Sequence, residues 1–278
     1  MNGLVKAEFR KIFSTNLWWG MLIPGALVTL AFAAGGAWLG TLGINIQDID
    51  GQIPLALPTF ASGLTFGTLF SALVGVIAVT GEFRHRTITT TYLTAGSRDS
   101  VLVAKLIAYA VLGALYGVTA AVFGSIGAVL GSGGDGFPSL VSWLAICAVG
   151  VISSVLWALF GVGLGSLVSS QLGAVLGLVL YTQLAEGALS AILRSQGAEE
   201  IAPFLPYTAG NSMTMDLALS LFFGDLPARL ADSPLVSQLR AGLADGGPIW
   251  WGSALVFLGY TVVVVLAGSM VAKQRDIT

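Results

Sequence analysis

Five long stretches of the chain carry no charged residue: Ile12 to Gln47, Gly51 to Gly81, Leu106 to Gly134, Gly136 to Ala185 and Gly246 to Ala272. A helix crossing a bilayer needs about 20 consecutive apolar residues, because lipid offers no water to solvate a charge or an unpaired backbone group. Four stretches have room for one such helix each. The longest, Gly136 to Ala185, holds two, interrupted near Ser169, Ser170 and Gln171, with the second running on past Glu186. The sequence therefore predicts spans at about 17–39, 59–80, 102–130, 140–167, 173–193 and 251–272. Composition agrees: 55% of the 278 residues are hydrophobic and 9% charged, against about 25% charged in a soluble domain. The expected fold class is an all-α polytopic membrane protein, residues 1–278 forming a single transmembrane domain. One cysteine, Cys147, excludes a disulfide framework, and one histidine, His85, removes most zinc and Ser-His-Asp chemistry.

An even number of spans puts both termini on one side. That side holds Lys6, Arg10, Lys11, Arg84, Arg86, Arg98, Lys105, Lys273 and Arg275, nine of the twelve basic residues, so the positive-inside rule makes it cytoplasmic. The opposite side carries Arg194, Arg229 and Arg240 against nine carboxylates, among them Asp135, Glu199 and Asp245. A rival reading takes Ala31-Phe32-Ala33 as a signal-peptide cleavage site, but the apolar run continues well past it. Trp18, Trp19, Trp250 and Trp251 stand at span edges as interfacial anchors. Glycines at four-residue spacing, Gly63/Gly67, Gly113/Gly117, Gly161/Gly165 and Gly173/Gly177, read as close-packing faces within the bundle or across a dimer. The Ala/Gly/Val-rich, lysine-poor composition points to a bacterial cytoplasmic membrane.

Three segments stand out from the spans. Residues 1–16 read as an interfacial helix: Leu4, Val5, Phe9, Ile12 and Phe13 share one half of the helical wheel, and Lys6, Arg10, Lys11 and Ser14 fill the other. Glu8 projects from within the apolar arc, which a lipid anchor does not explain and a protein partner does. The 81–100 loop holds the only histidine, and Phe83, Thr87 and Thr91 recur at i, i+4, i+8 with Ile88 and Tyr92 beside them. A short helix there would offer an apolar ridge flanked by Arg84 and Arg86 to a partner's groove; a solvated loop obeying the positive-inside rule is the alternative. In the 195–250 segment, Pro203 to Tyr207 breaks the chain, and Met213 to Phe223 is apolar but too short to cross. It reads as a re-entrant or outer helix, or as a folded outer loop. Glu186, inside the fifth span with Gln183 one turn before it, is a candidate for the translocation path, since an ionisable group in lipid should face a cavity or a partner. The alternative is an outer-interface residue bonded to Gln183 or to loop groups.

The run Glu82-x-Arg84-x-x-Thr87-Ile88, followed by Leu93, Arg98 and Lys105, resembles the first cytoplasmic loop of permease subunits in the ABC-2-type family of ATP-binding-cassette exporters. Glu8-Phe9-Arg10-Lys11 ahead of a Trp-rich first span resembles that family's start, and six spans with a long outer segment before the last fit it too. The resemblance implies a permease that works as a dimer, with a second copy or a related chain, and is driven by two separate ATPase subunits. Those subunits would carry ATP and Mg and would grip the interfacial helix (Glu8, Phe9, Arg10, Lys11) and a coupling helix in the 81–100 loop. The coupling residues it implies are Glu82, Phe83, Arg84, His85, Arg86, Thr87, Ile88, Tyr92, Leu93, Arg98 and Lys105. The sequence has no Gly-x-x-x-x-Gly-Lys-Ser/Thr phosphate cradle, and its Gly131 to Gly136 run lacks lysine, so nucleotide and other cofactors are expected on the partners and no nucleic acid is implied. A hydrophobic drug, lipid or peptide suits the apolar composition. The competing class is a secondary, proton-coupled carrier centred on Glu186, and an intramembrane metalloprotease lacks the ligands it would need.

Overall fold

The computed structural model describes residues 2–43, 56–85, 87, 97–134, 137–168, 170–226, 236–237 and 247–274. Helix α1 (Asn2–Ser14) leads into α2 (Leu17–Gly43), followed by α3 (Ala56–Arg84), α4 (Arg98–Ser132), α5 (Leu140–Leu167), α6 (Gln171–Ser195), α7 (Pro206–Gly224) and α8 (Trp250–Gln274). Among the described residues there is no β-strand. Six of the helices, α2, α3, α4, α5, α6 and α8, are long and apolar enough to cross a bilayer, and the chain is an all-α, multi-pass membrane protein. The spans lie where the charge-free stretches put them. Helix α3 continues three residues beyond the charge-free stretch, through Glu82 and Phe83 to Arg84, so these residues form the last turn of a span.

Local chemistry sets the breaks. Ser97 caps α4 by accepting from Ser100 N–H, Ser139 caps α5 by accepting from Ser142 N–H, and Ser170 caps α6 by accepting from Gly173 N–H. Extended backbone at Val168 separates α5 from α6, in the neighbourhood of the Ser169-Ser170-Gln171 interruption. Helix α4 ends at Gly133 in the left-handed region, φ 68°, which a side chain would strain. Its first turn grips the end of the last helix: Arg98 Nη1 donates to the carbonyls of both Ala272 and Lys273 at 2.9 Å, and Lys273 pairs with Asp99 at 2.7 Å. The last carbonyls of α8, which have no intrahelical donor, are thereby capped.

Helix α3 stands at the centre, packed against α2, α4, α5, α6 and α7, while α8 lies on α5 and α7. Where lipid is as apolar as the side chains, close backbone approach replaces the hydrophobic drive. Gly161 of α5 meets the backbone of Ala72, Gly75 of α3 meets Ala158 and Gly161, and Gly113 and Gly117 of α4 sit on Ser154, Val155 and Val151. Three of the four glycine pairs thus pack inside the bundle. At Gly177 a Cβ meets nothing within 4 Å. Gly161→Ala would drive a methyl into the Ala72 carbonyl, and overpacking of this kind costs about 1–3 kcal/mol. Thermal unfolding in detergent is expected to show a lower midpoint for Gly161→Ala and no loss for Gly177→Ala.

Candidate functional site

At the end of the bundle that carries α1 and the C-terminus of α8, three helices converge through four charged side chains. Helix α1 turns Glu8 away from solvent, 3% exposed, although five other polar or charged residues share the helix. The last turn of α3 supplies Glu82, and the second turn of α4 supplies Lys105, 5% exposed. Lys105 Nζ donates to Glu8 Oε2 and to Glu82 Oε1, both at 2.8 Å. Lys11 Nζ closes the ring from the outside, donating to Glu8 Oε1 at 2.6 Å and to Glu82 Oε1 at 3.0 Å. Two carboxylates thus alternate with two ammoniums. Charges buried this deeply persist only when paired and hydrogen-bonded, and each lysine here satisfies both acids. The Tyr109 ring lies 5.9 Å from Lys105 Nζ, and Phe9, Trp18 and Phe83 pack around the apolar cluster next to the ring. Mechanically, α1, α3 and α4 are one body at this end.

The remaining residues expected at an ATPase contact are distributed around this ring. Arg10, Arg84, His85 and Thr87 are exposed; Arg84 Nη1 donates to Gln171 Oε1 at 3.2 Å, tying the end of α3 to the start of α6. Arg98 caps α8, as above. Arg86, Ile88, Tyr92 and Leu93, and with them the expected coupling helix, lie outside the described residues. The place of Glu8 in the apolar arc of α1 calls for a partner. The partner that the structure supplies is Lys105 of the same chain. The sequence marks each as out of place, Lys105 interrupting the apolar start of α4 as Glu8 interrupts the apolar face of α1, but nothing in it pairs the two.

The second buried carboxylate belongs to a different structure. A single π-helical turn, Tyr181–Ala185, interrupts α6 immediately before Glu186, and such turns rotate the following residues onto a new face. Glu186, 1% exposed, accepts from Tyr207 N–H on Oε2 at 2.7 Å, and from Thr208 N–H at 2.5 Å and Thr208 Oγ1 at 2.7 Å on Oε1. These are the first free N–H groups of α7, which starts with Pro206 at its first turn. A carboxylate there satisfies orphan donors and faces the positive end of the helix. Gln183 Nε2 donates to its neighbour Thr182 Oγ1 at 3.3 Å. Helix α7 then packs on α8, α3 and α5, with Gly210 against Trp157 and Phe257 and Ser153 Oγ donating to the Gly210 carbonyl at 3.3 Å. Glu186→Ala leaves the N–H groups of the half-buried Tyr207 and Thr208 without their acceptor, at a cost of up to about 1–3 kcal/mol each. A large drop in the detergent melting temperature is expected for Glu186→Ala, and a smaller one for Glu186→Gln, which keeps an acceptor.

No protein-family model matches the chain, and no curated protein matches it in sequence.

Proposed function

We propose that this chain is the transmembrane permease subunit of an ATP-driven exporter of the ABC-2 type, set in the cytoplasmic membrane of a bacterium with both termini inside. Two copies, or this chain and a related one, form the path for a hydrophobic drug, lipid or peptide. Two ATPase subunits binding Mg and ATP dock on α1 and on the 81–100 connection, and the α7 region, entering between spans from the outer side, covers the path. The observation that supports the reading is the ring of Glu8, Lys11, Glu82 and Lys105. The two elements that the resemblance gives to the ATPases, α1 and the segment beginning at the end of α3, are held by the same buried charges. A force applied to either reaches α3 and α4 together, and α3 touches five of the other helices. Nucleotide-driven closure acts on a transporter only through such differential contacts.

The carrier reading gives Glu186 the role of a proton site. Its oxygens are taken up by the first turn of α7, which supports a structural role. The two readings separate in vesicles holding the chain with its co-purified ATPase and loaded with a fluorescent hydrophobic probe. The exporter moves probe when ATP is added and is indifferent to an ionophore that collapses the proton gradient. Transport that needs the gradient and ignores ATP would overturn the proposal.

A further inference from the structure

The contact between α5 and α7 carries buried polar groups without partners among the described residues. Trp157 of α5 is 2% exposed, and its Nε1–H donates to nothing; Asn211 of α7 buries both Oδ1 and Nδ2, and neither makes a hydrogen bond. Thr65 and Ser71 of α3 also have unpaired hydroxyls, but a hydroxyl can turn to a carbonyl of its own helix, a recourse that an indole N–H and a primary amide lack. The two groups are neighbours. A Cβ built on Gly210 lies 3.0 Å from Trp157 Cε2, the carbon bonded to Nε1, and 2.8 Å from Cζ2, so the nitrogen edge of the indole faces α7 beside Asn211. The Tyr207 ring is 6.1 Å from the indole, and its hydroxyl faces the Asn211 amide and Gln183 without satisfying Asn211. Ser153 Oγ is already committed to the Gly210 carbonyl. Trp157 stands 17 residues from the start of α5 and 10 from its end, about 25 and 15 Å along the helix, a depth at which bulk solvent does not supply the missing bonds.

We propose that an ordered water is built into this contact, accepting from Trp157 Nε1–H and donating to the Asn211 amide oxygen, with the Tyr207 hydroxyl as its third neighbour. The unpaired set selects this ligand. It holds an N–H donor on one helix and a carbonyl acceptor on the other, and only a guest that accepts and donates at once answers both: an anion would leave Oδ1 unpaired, and a metal cation would leave both N–H donors unpaired. Buried waters occupy such places, typically making about three hydrogen bonds to groups that the protein leaves unmatched. The close approach of Gly210 to the indole keeps the two helices too near each other for a larger polar molecule. The bridge ties α7, whose first turn is held by Glu186, to the middle of α5. This inference rests on the membrane placement of α5 and is independent of the exporter reading.

X-ray radiolytic footprinting of the purified chain in mild detergent tests it, because radiolysis of a bound water oxidises the side chain beside it even where bulk radicals do not reach. Trp157 is expected to be labelled severalfold more than Phe60, which is 0% exposed, and a bulk radical scavenger is expected to protect the exposed His85 and not Trp157. Asn211→Leu, which keeps the volume and removes the amide, is expected to bring Trp157 labelling down to the level of Phe60. If Asn211→Leu melts lower than wild type, Asn211→Val, smaller and equally unable to bond, replaces it. Labelling of Trp157 no greater than that of Phe60, labelling that the scavenger suppresses as it does at His85, or labelling unchanged in a stably folded Asn211 variant would overturn the proposal.

Discussion

Replacing Lys105 with methionine is expected to lower the unfolding free energy by about 3–5 kcal/mol, the cost of leaving buried charges without their counterion. Lys105 is the only ring member that touches both acids from the inside: its side chain is 6% exposed, against 41% for Lys11. Without it, Glu8 and Glu82 face each other across a site that Lys11 alone must neutralise. Lys11→Met should cost far less, about 1 kcal/mol or below, because water reaches the half-exposed ammonium and screens what is lost. Removing charge from both sides distinguishes pairing from packing. In a double-mutant cycle, Glu8→Gln with Lys105→Met should be less damaging than the two single losses summed. Chemical unfolding in detergent micelles measures all four proteins. Additive losses would mean that the ring is a coincidence of placement and not a joint between α1, α3 and α4.

The second large effect is functional. If the chain is the proposed exporter subunit, Arg84→Glu combined with Arg86→Glu should abolish ATP-driven transport while leaving insertion and folding intact. Arg84 is exposed, and its bond to Gln171 is a surface contact, so its loss should cost no more than about 1 kcal/mol. Reversing both charges changes the local balance by four units at the point where the chain leaves α3. A partner surface that accepts arginines there would then repel the loop, and like charges brought together at an interface cost several kcal/mol. The informative pattern is therefore a normal melting temperature with no coupling. A fall in melting temperature equal to that of Lys105→Met would instead assign Arg84 to the fold.

How far the sequence discloses this molecule depends on the physical signal. Span existence is legible because lipid penalises every charge, so the charge-free stretches are the helices, and serines at 97, 139 and 170 mark their starts through backbone capping. The end of α3 is less legible. Glu82 and Arg84 look like loop residues by charge, yet a helix can run through them when Glu82 finds the buried Lys105 and the half-exposed Lys11 and Arg84 projects to solvent. The ring itself is a tertiary fact. Glu8 and Lys105 are 97 positions apart in the chain, and periodicity within α1 shows only that Glu8 points the wrong way. Glu186 illustrates the same gap. Its burial is legible from its place in an apolar run, but its partners are two backbone N–H groups and the Thr208 hydroxyl of α7, which no residue pattern advertises. The small-residue pairs fall between these cases: their spacing marks a packing face, and only the fold shows that Gly161 meets α3 while Gly177 meets nothing.

The most direct test of the exporter reading is ATP hydrolysis by the tagged chain purified in mild detergent together with whatever co-purifies from its host, compared between wild type and the Arg84→Glu/Arg86→Glu variant. The expected result is a stoichiometric ATPase partner and Mg-dependent hydrolysis with wild type, both lost in a variant that melts normally. A purified, folded chain that carries no ATPase and transports its cargo only on a proton gradient would contradict the exporter reading.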